Sequence, residues 1–310
     1  MIRGTICSVN TSPGKGTVKT PVPRAVITAT GLASDAHAGD WHRQVSLLAS
    51  ERIAEFGATA KRTFAPGEFA ENLTTAGLDL LALPLGTRLA AGTALLELTQ
   101  HGKKCHGGGC AIMQAVGSCV MPKDGVFAKV ITPGVIAPGD ALVADAGELP
   151  CAVITCSDRA SCGEYEDRSG PALVARLQAF CDRSARTLAC TSAVVPDETS
   201  AIAGAVRSAL AGGARLVFTT GGTGIGPRDV TPEAVRPLLD REIPGLMERI
   251  RALHAARLPS ALLSRSLAGT AGSALVFCLP GSPKAVDEHC DEIWRVLEHA
   301  LLMLAGRDAH

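Results

Sequence analysis

The 310-residue chain is poor in aromatics, with one Tyr, two Trp and seven Phe. So few rings argue against a base-stacking platform for single-stranded nucleic acid. Neither sign of charge is in excess: 30 basic and 30 acidic residues leave a formal net charge of zero. That excludes a broad electrostatic footprint for nucleic acid. No run approaches 18 uninterrupted apolar residues, so no transmembrane helix and no membrane partner are expected. The opening Met1-Ile2-Arg3-Gly4-Thr5-Ile6-Cys7 lacks a sustained apolar stretch and reads as a strand, not a signal peptide. Eleven cysteines are an odd number in a chain too long to need disulfide staples, which predicts reduced thiols in a cytoplasmic protein. Cys151, Cys156 and Cys278 sit inside apolar runs and read as small buried hydrophobes.

What the chain does have is 46% apolar residues, the composition of an ordinary globular protein. Its length predicts two domains, each able to bury a core. Up to about residue 145, short β-like runs alternate with Gly and Pro turns: Thr5–Val9, Arg24–Thr28, Thr87–Ala91, Ala94–Thr99 and Gly125–Ile131. One helix is predicted at 47–58. This rhythm suggests a barrel or folded sheet. From Cys151 onward strands and helices alternate: strands Cys151–Thr155, Thr187–Val195, Leu216–Thr219 and Ala274–Leu279, with helices Pro171–Cys181, Glu198–Leu210 and 283–305. Alternation predicts a three-layer α/β domain with a mainly parallel sheet. The cut is placed near 147, giving domains 1–147 and 148–310.

In such a sheet ligands bind beyond the C-terminal strand ends, and each predicted strand end carries an unusual cluster. The first runs into Ser157-Asp158-Arg159, with Asp167, Ser169 and Gly170 ahead of the next helix. There Ser169 is a natural N-cap, and a free helix N-terminus also favours phosphate. The second ends in Pro196-Asp197-Glu198, where Asp197 reads either as a helix cap or as a site carboxylate. The third ends in Thr219-Thr220-Gly221-Gly222-Thr223-Gly224, followed by Arg228 and Asp229, and the fourth in Pro280-Gly281-Ser282-Pro283-Lys284. Each loop alone has a structural explanation. Together they bring hydroxyls, bare amides and two carboxylates to one edge, which suits a phosphate-rich ligand and a divalent metal. Neither a Walker A loop nor a G-x-G-x-x-G fingerprint is present.

The stretches "SDRASCGEYEDRSGPAL", "VVPDE", "TTGGTGIGPRDVTPEAV", "REIPGLMERIR", "LLSRSLAG" and "LPGSPKA" resemble the molybdopterin adenylyltransferases, the Mog-type enzymes that include the G domain of gephyrin. The resemblance covers about residues 150–305. It implies that the terminal phosphate of molybdopterin attacks Mg-ATP at its α-phosphorus, giving adenylylated molybdopterin and pyrophosphate. Carried over by motif, Asp197 and Asp229 are the catalytic acids. An ionised phosphate nucleophile needs positioning and charge neutralisation, not a strong base, so both acids are assigned to Mg²⁺ and ligand placement. Gly221, Gly222, Thr223 and Gly224 would cradle phosphate. Ser157, Asp158, Asp167, Ser169, Gly170, Ser264, Ser266, Pro280 and Gly281 are further candidates for pterin and phosphate contacts. A non-catalytic carrier or scaffold that keeps the pterin pocket without turnover is the alternative. Relatives of this domain are commonly trimers, so a homo-oligomer is expected.

In the first half "LTQHGKKCHGGGCAIMQAVGSCVMPKDGVF" stands out. Cys105, His106, Cys110 and Cys119, with His101 nearby, could be zinc ligands, although the spacings lack paired C-x2-C units. Cys105 could instead be a reactive thiol, because Lys103 and Lys104 precede it and cations stabilise a thiolate; a buried Cys suits Cys119 better. "DAHAGDWHRQVSLLASERI", "GEFAENLTTAGLDLLALPLGTRL", "ALLELTQHGKKC" and "GVFAKVITPGVIAPGDAL" resemble a MOSC domain, named from the C-terminal part of molybdenum cofactor sulfurases. The resemblance covers about residues 1–145. It implies a β-barrel-like fold and a cysteine, Cys105 by position, near the molybdenum cofactor or its sulfur chemistry. His37, Asp40, Arg43, Glu71 and Asn72 fall in its motifs, and Ala70 stands where a glycine is common. Other molybdenum cofactor proteins are the expected partners.

Overall fold

A computed structural model describes residues 1–104 and 118–306. The chain divides into two compact units: Met1–Gly147 with Asp182–Arg186, and Glu148–Cys181 with Thr187–His310.

The first unit is built on β1 (Ile2–Thr11), β2 (Thr20–Val22), β5 (Val45–Ala49), β6 (Leu73–Ala76), β7 (Arg88–Ala91), β8 (Ala94–His101), β9 (Val126–Thr132) and β11 (Ala141–Asp145). Hydrogen bonding runs β1–β11–β7–β8–β9–β5–β6 and back to β1, a closed seven-strand barrel with β2 paired onto β1. Closure removes the free edges an open sheet would leave. Alternate residues face inward, as the period of two requires: Leu89 and Ala91 on β7, and Ala94, Leu96 and Leu98 on β8, are buried. A small sheet of β10 (Gly134–Ile136), β3 (Ala25–Thr28) and β4 (Gly31–Leu32) stands beside it. The predicted helix at 47–58 begins later, at α1 (Ser50–Ala60). Leu47, Leu48 and Ala49 belong to β5, whose five residues are all buried. An apolar run fits either element, and pairing with β6 and β9 decides for strand. Short helix α2 (Met121–Asp124) precedes β9.

The second unit has six strands in the order β13 (Thr187–Val195), β12 (Glu148–Cys156), β14 (Leu216–Thr220), β17 (Ala274–Leu279), β16 (Leu267–Ala271) and β15 (Arg241–Glu242). The first four are parallel; β16 and β15 join antiparallel. The predicted parallel sheet holds over the first four strands, and the last two make the whole sheet mixed. The cause is local: Gly272-Ser273 turns β16 straight back into β17, with Gly272 at φ 57, and a two-residue loop can join only antiparallel strands. Helices cover both faces, and successive strand residues divide between them. Cys151, Val153, Leu216, Phe218, Leu275 and Phe277 pack with α4 (Ser169–Arg183), α7 (Pro244–Ala255) and α8 (Pro283–Leu304). Ala152, Ile154, Val217, Val276 and Cys278 pack with α5 (Thr199–Ala211) and α6 (Thr231–Val235). With both faces buried the strands read as continuous apolar runs.

Candidate active site

The register of the four parallel strands levels their C-terminal ends: Cys156 pairs with Val195, Thr155 with Thr220, and Thr220 with Leu279. The chain leaves each strand at the same edge, and the loops border one cleft of about 820 Å³. Of the residues predicted for this site, Ser157, Asp158, Asp167, Ser169, Asp197, Gly221, Gly222, Thr223, Gly224, Asp229, Ser264, Pro280 and Gly281 line it. Gly170 and Ser266 do not. Gly170 packs beneath the cleft, where an added Cβ would run into the Asp167 carboxylate and the Thr155 hydroxyl. Ser266 is buried. Cys105 lies outside the described residues.

Gly221 and Gly222 take φ of 98° and 61°, backbone that side chains rarely adopt. A Cβ on Gly221 would also strike the Cys156 carbonyl. Two anchors hold this loop. The Thr231 hydroxyl donates to the Gly221 carbonyl (2.9 Å) and its N–H to that of Gly222 (3.1 Å). From the other side Arg265 donates to the carbonyls of Gly224 (2.6 Å) and Asp229, and pairs with Glu233. Arg265 was not anticipated, because its role is to reach across to a loop 41 residues earlier in the chain.

The carboxylates divide into distinct jobs. Asp197 does not cap α5, whose N-cap is Glu198. Asp197 Oδ2 accepts the Asp158 N–H (3.0 Å), the Asp197 N–H donates back to Asp158 Oδ1 (3.0 Å), and Asp197 Oδ1 is buried with no partner among the described residues. Burial, with Asp158 and Asp229 adding negative charge, holds its pKa above the ordinary carboxylate value. Asp158 differs, because a two-pronged hydrogen bond from Arg228 (2.9 and 2.7 Å) lowers its pKa. Asp229 Oδ2 accepts the Gly226 N–H (2.8 Å), which tightens the turn behind the glycines. Among the described residues no three His, Cys, Asp or Glu side chains are grouped to hold a metal by themselves.

Capping at α4 falls to Asp167, not Ser169. Its Oδ1 accepts the N–H groups of Ser169 and Gly170 (both 3.0 Å), and Thr155 donates to Oδ2 (2.6 Å). The carboxylate takes the place that a phosphate would occupy at a free helix end. The Ser157 hydroxyl accepts the Ala160 N–H (3.2 Å), capping α3 (Asp158–Ser161). Arg159, Tyr165 and Arg168 also line the cleft, with the Arg159 guanidinium 5.4 Å above the Tyr165 ring. From sequence Arg159 is placed only within its loop, without a role, and Tyr165 and Arg168 are not singled out, although two cations within one phosphate-loop motif are the signal that could have found them.

In the first unit the motif residues serve mainly as internal supports. Lys19 and Asp35 form a buried ion pair (2.5 Å), and Asp35 also accepts the Ser12 and His37 N–H groups (both 3.0 Å). His37 is half-buried and Asp40 exposed. Arg43 lies 4.8 Å over the Trp41 ring and 5.7 Å over Phe127. Glu71 is buried, which pushes its pKa up, and accepts from the Gly67 N–H (2.6 Å) and the Thr74 hydroxyl (2.8 Å). Asn72 accepts from the Ser46 N–H and hydroxyl and donates to the Asn10 carbonyl. Ala70 sits at φ 63, a conformation that glycine reaches without strain. The zinc alternative falls largely on Cys105, His106 and Cys110, which lie outside the described residues.

Comparison with known proteins matches residues 152–299 to the probable molybdopterin binding domain family and residues 34–143 to the MOSC domain family. The molybdenum cofactor biosynthesis bifunctional protein of Synechococcus elongatus is 33% identical over 261 residues, 84% of this chain and 74% of that protein. The molybdopterin adenylyltransferase of Haemophilus influenzae is 39% identical over 142 residues, 45% of this chain and 70% of that protein. Dictyostelium discoideum gephyrin is 37% identical over 160 residues, 50% of this chain and 22% of that protein. Among the described residues no helix is long and apolar enough to cross a membrane. Two domain families in one chain, and a relative matched over most of both lengths, make this protein a member of the molybdenum cofactor biosynthesis bifunctional protein family.

Proposed function

We propose that the second unit is a molybdopterin adenylyltransferase. A terminal phosphate oxygen of molybdopterin attacks the α-phosphorus of ATP, the bond from that phosphorus to the β-phosphate oxygen breaks, and pyrophosphate leaves. The nucleophile is already ionised, so no proton has to be removed; placement and charge neutralisation carry the rate. The observation behind this reading is the convergence of four strand ends on one cleft bordered by the glycine loop and by Asp197, whose buried Oδ1 has no partner among the described residues. A buried acceptor left open in this way is costly unless something binds it, and two nearby carboxylates suit Mg²⁺, which takes few protein ligands and completes its shell with water and phosphate. Asp197 and Asp229 would hold the ion, which when bound neutralises charge on the phosphates. The N–H groups of Gly222, Thr223 and Gly224 would hold phosphate, the Gly221 N–H being spent on the Leu279 carbonyl (3.0 Å), while Arg159 and Arg168 add positive charge along the wall.

The functional boundary is placed at 147/148, with the MOSC unit before it binding or modifying the molybdenum cofactor through Cys105. A cytoplasmic homo-oligomer, a trimer by resemblance, completes the proposal and is checked by light scattering. Pyrophosphate release from ATP that depends on molybdopterin and Mg²⁺ tests the central reading. Tight molybdopterin binding with no pyrophosphate release would instead make the protein a carrier or scaffold.

A further inference from the structure

Behind the cleft wall three side chains form a hydrogen-bonded row that neither the glycine loop nor the acids require. Ser264 lines the cleft, whereas Ser266 and His289 are only 4% and 6% exposed. The two hydroxyls lie 2.6 Å apart, Ser266 Oγ is 3.4 Å from His289 Nε2, and His289 Nδ1 is 2.7 Å from the Ala285 carbonyl oxygen. A carbonyl only accepts, so Nδ1 carries a proton. Burial pushes the imidazole down to about 4; at neutral pH it holds that one proton and Nε2 presents a lone pair. The Ser266 hydroxyl therefore donates to Nε2, and its oxygen accepts the Ser264 O–H. The Ser266 N–H adds a long contact to Ser264 Oγ (3.4 Å). The Ser264 proton is thus directed inward, and the cleft meets a lone pair.

We propose that His289 is a positioning residue: through Ser266 it fixes the Ser264 hydroxyl as a hydrogen-bond acceptor, making this wall the seat of a ligand N–H or O–H edge and not of phosphate. Ionised phosphate oxygens only accept, so they would face Ser264 lone pair to lone pair. An amino group, ring N–H or sugar hydroxyl complements it. This deepens the adenylyl-transfer reading and rests on it. Both substrates carry such an edge, one on the pterin ring and one on adenosine.

The test uses the full chain and determines kcat and the KM for molybdopterin and for ATP separately. Ser264→Ala, Ser266→Ala and His289→Phe are compared with Ser264→Ala/Ser266→Ala. Each single change is expected to raise one KM about tenfold, the loss of one hydrogen bond at the site, with kcat and the other KM nearly unchanged. The double variant should be no worse than Ser264→Ala, because one row is being broken twice. A raised molybdopterin KM assigns the wall to the pterin, and a raised ATP KM to adenosine. Ser266→Ala leaves α8 untouched, so it still tests the row if His289→Phe fails to fold. Unchanged KM values in Ser266→Ala, or effects that multiply in the double variant, would overturn the proposal; so would equal losses in every kinetic constant together with a lower Tm. If the parent releases no pyrophosphate, the adenylyl-transfer reading fails by itself. The same variants then decide on the row through calorimetric Kd values for ATP and for molybdopterin.

Discussion

Single residues at the cleft are told apart by their partners more than by their type. Asp158, Asp197 and Asp229 are all aspartates, yet of the three only Asp197 has a buried oxygen without a partner among the described residues. Asp197→Asn or Asp229→Asn keeps size and most hydrogen bonds while removing a charge, so turnover should fall on the order of 10²-fold or more, with molybdopterin binding much less affected. Because burial raises the Asp197 pKa in the metal-free protein, protons should compete with Mg²⁺ for it above the usual carboxylate range, so Mg²⁺ affinity measured by calorimetry should fall on acidification in the parent and much less in Asp197→Asn. His289 carries a stability prediction. Its pKa is lowered from 6.5 to about 4, by burial foremost, with His254 and Arg251 adding to the fall and Glu288 opposing it. The contribution is fully present above pH 6.5 and is lost as pH drops toward 4, where the unfolded chain takes up the proton first. A loss on the order of 2–3 kcal/mol is expected, read from Tm across that window and reduced in His289→Phe. Among the thiols, Cys156, Cys278 and Cys290 are pushed up to about 12 by burial, which leaves little thiolate. Cys105, preceded by two lysines, should alkylate faster than these at neutral pH. Mass-resolved labelling that finds Cys105 no faster would remove it as the functional thiol of the first unit.

At the scale of elements, the glycine loop is anchored on both sides because strand, loop and helix share their hydrogen bonds. Thr231, the first residue of α6, ties to the loop left by β14, while Arg265, just before β16, reaches back over it. Gly221→Ala would combine left-handed backbone, on the order of 1–3 kcal/mol, with a collision against the Cys156 carbonyl. A clear fall in Tm together with lost adenylyl transfer is the expected outcome. A variant with parental Tm and activity would show that the loop has slack there. Neighbouring α4 behaves differently: Asp167 already accepts from its first N–H groups, so that helix end has no free amides there to offer an anion.

At the scale of the whole molecule, the hydrophobic clusters on the two faces of the mixed sheet draw only on the second unit's own residues. Every residue lining the cleft also belongs to that unit. A fragment starting at Glu148 should therefore fold alone and retain adenylyl transfer. Cooperative melting and pyrophosphate release by the fragment would check this. An insoluble or inactive fragment beside an active full chain would show that the first unit completes the site.

The sequence by itself determined the division into a β-rich half and an alternating half, and strands Thr187–Val195 and Ala274–Leu279 to the residue. These features are written locally, in apolar periodicity and in Gly and Pro turns. It also brought Asp197, Asp229 and Gly221–Gly224 to one sheet edge, because parallel strands joined by helices return to the same side. Only the tertiary structure decided which hydroxyls face the cleft. Ser264 and Ser266 are alike in sequence, but one lines the cleft and the other is buried against a histidine 23 residues on. The jobs of Asp167 and Asp197 were settled the same way. The predicted cap of α4, Ser169, gave way to Asp167, which the Thr155 hydroxyl holds from the strand before it, while Asp197, a candidate cap from sequence, instead exchanges hydrogen bonds with Asp158, 39 residues earlier.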